Sequence, residues 1–220
     1  MFTNLLKLLL LCFAFPCIAQ QYDFDYVQEY HFENNGTTHK SGDFYKFFNS
    51  KDNSFSLTVT PEGEKLYMTL RLANGKIYTD SMEKNDFLVY AISLKCPKTG
   101  FYNGNPDTGL ENYTYSKLED TLITDKAYSY VKLAPKNEKK SKKKELNTYK
   151  YIFDNSYNFT LSITGINGML NYFEKNGITF PPGVIKEFYT CSPSGEVISH
   201  TKLIQCVPMQ KIIFLDTACK

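Results

Sequence analysis

The sequence contains no tryptophan, a single arginine (Arg71) and only three histidines. Each scarcity removes a class of function. Nucleic-acid binding usually draws on arginine set among aromatic stacking surfaces, and a formal net charge of +2 supplies no compensating field. A metal site needs converging ligands at short spacing. None of His31, His39 and His200 has a second histidine within the next four positions, and no Cys-x-x-Cys pair exists. Nucleophile elbows, His-Glu-x-x-His, phosphate loops and dinucleotide fingerprints are also missing. Ser199 and His200 are neighbours, so in a strand their side chains point to opposite faces and cannot pair as nucleophile and base. The reading is therefore non-catalytic, with no cofactor.

What the chain has in quantity is aromatic surface, 17 tyrosines and 17 phenylalanines. With 42% apolar residues it can bury a core. Residues 1–19 read as a signal peptide. Lys7 is the positive end, Leu8 to Ala19 is an apolar run too short for a ~30 Å bilayer core, and Cys17-Ile18-Ala19 places small residues before the cut. The expectation is an exported chain, periplasmic or extracellular, with no transmembrane segment once the leader is removed. Residues 20–220 read as a single β-rich domain.

Alternation dominates that domain. Tyr22, Phe24, Tyr26, Tyr30 and Phe32 share one face of a first strand, with Asp23, Asp25, Glu29 and His31 on the other. Asp23 and Asp25 thus read as a solvated face. Asp43 to Phe48 follows. Phe55, Leu57 and Val59, then Leu66, Met68, Leu70 and Leu72, alternate around a turn at Pro61 to Glu64. Asn74-Gly75 is a hairpin signal, and Lys76 to Thr79 pairs back. Phe87 to Cys96 reads as a more continuously apolar, central strand. Asn112 to Leu118 and Ala127 to Leu133 form another pair. Residues 135–147, rich in lysine, read as an exposed loop or frayed helix. Thr148 to Phe153, Asn158 to Thr164, Val184 to Cys191, Glu196 to Cys206 and Lys211 to Ala218 are strands, with turns at Ser194-Gly195 and Pro208-Met209. Asn167 to Asn176 is the one helix candidate, stopped by Gly177.

Four cysteines follow the leader, Cys96, Cys191, Cys206 and Cys219. An even number in an exported chain predicts two disulfides with open connectivity. A Cys96 bond into the C-terminal hairpin would tie the part before the lysine-rich residues 135–147 to the part after them. Asn103 to Gly109 has a faint calcium-loop outline, but Thr108 stands where the turn wants glycine, so it reads as an ordinary loop. Asn35, Asn112 and Asn158 head N-glycosylation acceptor patterns.

Ile18-Ala19-Gln20, Asn49-Ser50-Lys51-Asp52-Asn53-Ser54-Phe55, Gly75 to Asp80 and Ala91 to Cys96 resemble segments of uncharacterised exported proteins of Bacteroidetes. A long first strand followed by hairpins also looks like the half-barrel of periplasmic lipoprotein carriers, a resemblance that implies an apolar-ligand cavity. The fold expected is a mainly β, curved antiparallel sheet or open half-barrel with one short helix. The function expected is non-catalytic binding of an apolar ligand or lipid, with Phe55, Leu57, Val59, Leu66, Met68, Leu70 and Leu72 as its lining. The alternative is a protein-interaction or envelope structural role, with an envelope protein as partner.

Overall fold

The computed structural model describes residues 20–35, 41–95, 102–103, 110–157 and 176–216. The leader, Cys96, Cys219, the 104–109 loop, Asn158 and nearly all of the 167–176 helix candidate lie outside them. The strands are β1 (Gln20–Asn34), β2 (Gly42–Phe48), β3 (Phe55–Glu62), β4 (Lys65–Leu72), β5 (Lys76–Glu83), β6 (Ala91–Leu94) and β7 (Tyr102–Asn103). They continue with β8 (Tyr113–Lys117), β9 (Thr121–Ile123), β10 (Lys126–Pro135), β11 (Thr148–Asp154), β12 (Val184–Cys191) and β13 (Val197–Leu215). Two short α-helices, α1 (Lys84–Phe87) and α2 (Glu138–Lys144), and one 3-10 turn (Leu110–Asn112) complete the regular elements of the described residues.

One open sheet holds every strand, in the order β7-β5-β4-β3-β2-β1-β13-β12-β11-β10-β8, with β6 beside β13 and β9 beside β10. It is mainly antiparallel and is not closed into a barrel; among the described residues only β6 pairs in parallel. The hairpins follow from local chemistry. At β3–β4 the turn is Gly63-Glu64, with Gly63 at φ +58°. At β4–β5 Gly75 takes φ +85°, and the Asn74 side chain accepts from the Lys76 amide.

The sheet curls hardest around β1 to β6. Phe24, Phe47, Leu57, Met68, Tyr78, Ile92 and Ile213 come from seven strands yet share one buried cluster. The Lys95 amide donates to Asp80 Oδ2 at 2.8 Å, so the end of β6 reaches β5 around the mouth of the curl. A second cluster holds Tyr113, Val131, Leu133, Tyr151, Phe153, Phe180 and Ile185 under β8 and β10 to β12. A third, with Tyr30, Phe48, Val184 and Leu203, joins the two.

Three expectations are corrected. The first-strand aromatics do not share one face. Phe24 and Val27 both enter the first cluster, three residues apart, whereas Tyr26 and Tyr30 pack with the third. The face reverses across Asp25, where the β1–β13 register shifts; Asp25 there accepts from the Ser50 amide at 2.7 Å and from its hydroxyl. Phe87 to Cys96 is not a central strand. Its start lies in α1, residues 88–90 are exposed, and β6 pairs with β13 alone. Pro208-Met209 is not a turn. β13 runs straight through it against β1, with Pro208 opposite Tyr26 beside the register shift. Proline is tolerated there because, among the described residues, no strand on the far side needs its missing N–H. The lysine run forms α2, whose Lys139, Lys142, Lys143 and Lys144 are exposed. Buried Ser141 anchors it by donating to the Leu146 carbonyl at 2.8 Å.

Candidate binding groove

The open end of the curl leaves a groove of about 1130 Å³ above the first cluster. Its floor is Val27, Phe47, Val59, Leu66 and Phe87, all buried. Phe44, Tyr45 and Pro61 form a wall, and Leu88 and Met209 stand at the lip with Lys84, Asp43 and Glu62. Strand pairing explains why these residues meet. Val27 lies opposite Phe47, and Pro61 opposite Leu66, so four adjacent strands deliver apolar side chains to one concave face. Phe24 and Phe87 each meet Phe47 edge to face, with centroids 6.3 and 5.6 Å apart.

The sequence-predicted lining divides in two. Val59 and Leu66 line the groove. Phe55, Leu57, Met68 and Leu70 are buried in the cluster beneath it, and Leu72 packs against that cluster. Phe47, Phe87, Leu88 and Met209 escaped the sequence reading as lining. Phe47 carried a signal, since it alternates within Asp43 to Phe48. Leu88 and Met209 carried none, because their placement depends on where α1 and β13 lie.

The lip is held by Lys211. This side chain is only 2% exposed and donates to the carbonyls of Phe87 and Val89. Its ammonium stands 4.0 Å from the centre of the Phe87 ring. Burial draws its pKa down to about 8. The Ile212 amide also donates to the Tyr90 carbonyl at 3.0 Å, so residues 87–90 are fastened to β13 at three carbonyls.

Polar chemistry gathers elsewhere on the sheet. His31 Nδ1 lies 2.6 Å from Asp43, and the other ring nitrogen 4.0 Å from Glu33. His200 lies 3.3 Å from Glu187 and 3.7 Å from Glu33, and its ring stacks on Tyr189 at 4.3 Å. Tyr189 in turn donates to Glu187. Of this row only Asp43 also lines the groove. On the face away from the first cluster, burial and the nearby Arg71 charge lower Lys46 to about 8. Lys126 bridges Asp154 at 2.9 Å. Burial pushes the Asp154 carboxyl up, but hydrogen bonds from Ser156 and Lys126 outweigh it and hold the group below its usual range.

Among the described residues no disulfide forms, and Cys191 and Cys206 stand as thiols. They do not face each other. Cys191 lies opposite Thr148 and Val197, and Cys206 opposite Gln28. Burial pushes the Cys206 thiol up to about 11. No group of three His, Cys, Asp or Glu side chains arranged to hold a metal exists among the described residues. Nor is any helix among them long and apolar enough to cross a membrane.

No family model matches the chain, and no curated protein matches it. Solved structures share part of its path. A MucB structure matches with a TM-score of 0.45 at 7% identity, covering 84% of this chain and 53% of that one. This chain therefore spans about half the length of MucB. A putative outer membrane lipoprotein-sorting protein domain from Vibrio parahaemolyticus matches with a TM-score of 0.28 at 8% identity, covering 85% of each chain. A LolA-superfamily protein from Nitrosomonas europaea matches with a TM-score of 0.29 at 16% identity, covering 87% of this chain and 86% of that one. At these scores none of the likenesses bears on function.

Proposed function

We propose that this chain is an exported, non-catalytic carrier that holds the acyl portion of a lipid or a similar apolar ligand in the groove at the mouth of its curled sheet. The observation that carries this reading is the groove itself, about 1130 Å³ above a floor of Val27, Phe47, Val59, Leu66 and Phe87. That volume slightly exceeds the ~300–1,000 Å³ usual for small-molecule sites. The floor offers no hydrogen-bonding side chain, so a polar substrate would lose its water there without compensation. An alkyl chain loses nothing and gains about 0.8 kcal/mol for each methylene buried. About six such groups amount to roughly 5 kcal/mol before the cost of ordering. The charged groups, Asp43, Glu62 and Lys84, stand among the lip and wall residues, where a polar headgroup would meet water.

Native mass spectrometry of the exported protein, purified without detergent, is the direct test. An added mass released on denaturation as a lipid supports the carrier. Parinaric acid, an intrinsically fluorescent fatty acid, is the binding probe. Pro61 lines the groove, lies opposite Leu66 and is only half-buried, so Pro61→Trp fills the space without opening the core. It is expected to weaken parinaric acid at least ~10-fold, about 1.4 kcal/mol. A clean apo mass together with no probe binding to the wild-type protein refutes the carrier reading.

A further inference from the structure

We infer that α2, with the lysine that leads into it, is a docking surface for a bilayer of anionic phospholipid. Residues 136–145 hold six lysines against two glutamates, in a chain whose formal net charge is only +2, so the other residues together are negative. The positive charge of the chain is therefore gathered at one corner of the fold. Lys136, Lys139, Lys142, Lys143 and Lys144 are all exposed, and none of them enters an ion pair among the described residues. In the strands on either side of α2, Lys132 and Lys150 stand directly opposite each other across β10 and β11, a like-charge pair that costs stability rather than adding it.

The helix turns its charges outward. Ser141 is buried and donates to the Leu146 carbonyl, and Leu146 packs against the second cluster, so the inner face is fixed. At about 100° per residue, Lys139, Lys142 and Lys143 fall within one arc of roughly 100° on the side away from Ser141. Lys139 and Lys143 lie four positions apart and repel each other. A helix of seven residues has little stability of its own to set against that repulsion. An anionic surface removes it, so the charge and its cost point to the same occupant.

The chemistry selects an extended surface over a single phosphate. The lysines crowd the last turn of α2, where the helix carbonyls repel an anion seated on the main chain. The run holds no arginine, so no rigid fork grips one phosphate. Flexible lysines, each a mobile point charge, suit the diffuse field of an anionic leaflet, which strengthens binding about five-fold for each. Nucleic acid would draw on arginine and stacking aromatics, and residues 136–145 hold neither. Six antiparallel steps separate β3 from β10, so the two strands run the same way. β3 ends at Glu62 by the lip of the groove, and β10 ends at Pro135 just before α2. The basic corner and the groove mouth therefore share one rim of the sheet. On the carrier reading, a bilayer held by α2 meets the rim at which the ligand leaves; the docking itself does not rest on that reading.

Flotation of the intact protein with lipid vesicles is the test. At low salt, vesicles of phosphatidylcholine with about 30% phosphatidylglycerol are expected to bind at least ~10-fold more tightly than phosphatidylcholine alone. Raising sodium chloride to about 0.5 M is expected to remove most of that difference by screening. Lys139→Gln, Lys142→Gln and Lys143→Gln, made together, are expected to weaken binding to the phosphatidylglycerol vesicles roughly 100-fold. Lys139→Arg, Lys142→Arg and Lys143→Arg, made together, keep the charge and are expected to keep the binding. All three side chains are exposed, and unchanged circular dichroism checks the fold of both variants. Pro61→Trp, which blocks the groove, is expected to leave vesicle binding unchanged. The triple glutamine variant is expected to leave parinaric acid binding unchanged, so the docking and the carrier reading fail separately. Equal binding to the two kinds of vesicle overturns the inference. So does full binding by the triple glutamine variant, loss of binding in the triple arginine variant, or binding of heparin without binding of the vesicles, which would assign the corner to a soluble polyanion.

Discussion

Gly183→Ala is the substitution whose cost the structure states most directly. Gly183 precedes β12 at φ +108°, a conformation that L-residues avoid at a cost of about 1–2 kcal/mol. A Cβ built there falls 2.2 Å from the Asp154 carbonyl oxygen, 2.8 Å from its carbon and 3.0 Å from Asn155 Cα. All three are backbone atoms, so no side chain can swing away. Restoring an ordinary separation of ~3.5 Å means moving the end of β11 from β12 by about 1 Å. Asp154 pairs with Val184, which is fully buried, so that movement breaks the last rung of the ladder and opens the third cluster. Together the terms give about 3–5 kcal/mol, or a fall in Tm of roughly 6–20 °C for a chain of this size. Gly195→Ala separates the two causes. Gly195 has φ +94° and nothing within 4 Å of its added Cβ, so it should lose only the conformational ~1–2 kcal/mol. Urea unfolding of both variants decides the matter. Equal losses would refute the close approach of Gly183 to Asp154.

Leu57→Ala should cost about 3 kcal/mol, since the side chain is fully buried in the first cluster. Leu57 lies outside the groove lining, so parinaric acid affinity per folded molecule should stay within ~2-fold, and a larger loss would place the ligand deeper than the groove. The depressed pKa values of Lys211 and Lys46, both about 8, predict stability that rises with pH. Above pH 8 the unfolded lysines, near pKa ~10.4, hold protons that the folded ones release. Cys206, pushed up to about 11, opposes this above pH ~8.5, so the rise should be clearest between about pH 7.5 and 8.5. Lys211→Met and Lys46→Met should each flatten the rise in chemical denaturation; a slope unchanged from wild type in both variants refutes the assignment.

Local alternation made most of the strands legible. β3 and β4 each keep a period of two, and Asn74-Gly75 marks its hairpin because its backbone demands are met within two residues. Features set by a distant partner were not legible. The face reversal at Asp25 arises from pairing with β13, far along the chain. Pro208-Met209 carries turn chemistry, and only its place beside β1 lets the strand continue. Ala91 to Leu94 has the composition of a central strand, yet a parallel pairing to β13 makes it a peripheral one. Val59 and Leu66 were legible as lining because β3 and β4 are sequence neighbours. Phe87 and Met209 reach the same groove from parts of the chain more than a hundred residues apart, and no local pattern records that meeting.

Lys211 explains how the lip of the groove is held. α1 is a single turn, and its last carbonyls have no partners within the helix. In most proteins water would satisfy them, and the following residues would drift. Here the lysine ammonium takes the carbonyls of Phe87 and Val89 and lies against the Phe87 ring. β13 therefore holds residues 87–90 through the Lys211 side chain and through the Ile212 amide, which donates to the Tyr90 carbonyl. These contacts keep exposed Leu88 at the lip of the groove. The desolvation cost carried by Lys211 is thus tied to the mouth of the groove, whose lip it fastens.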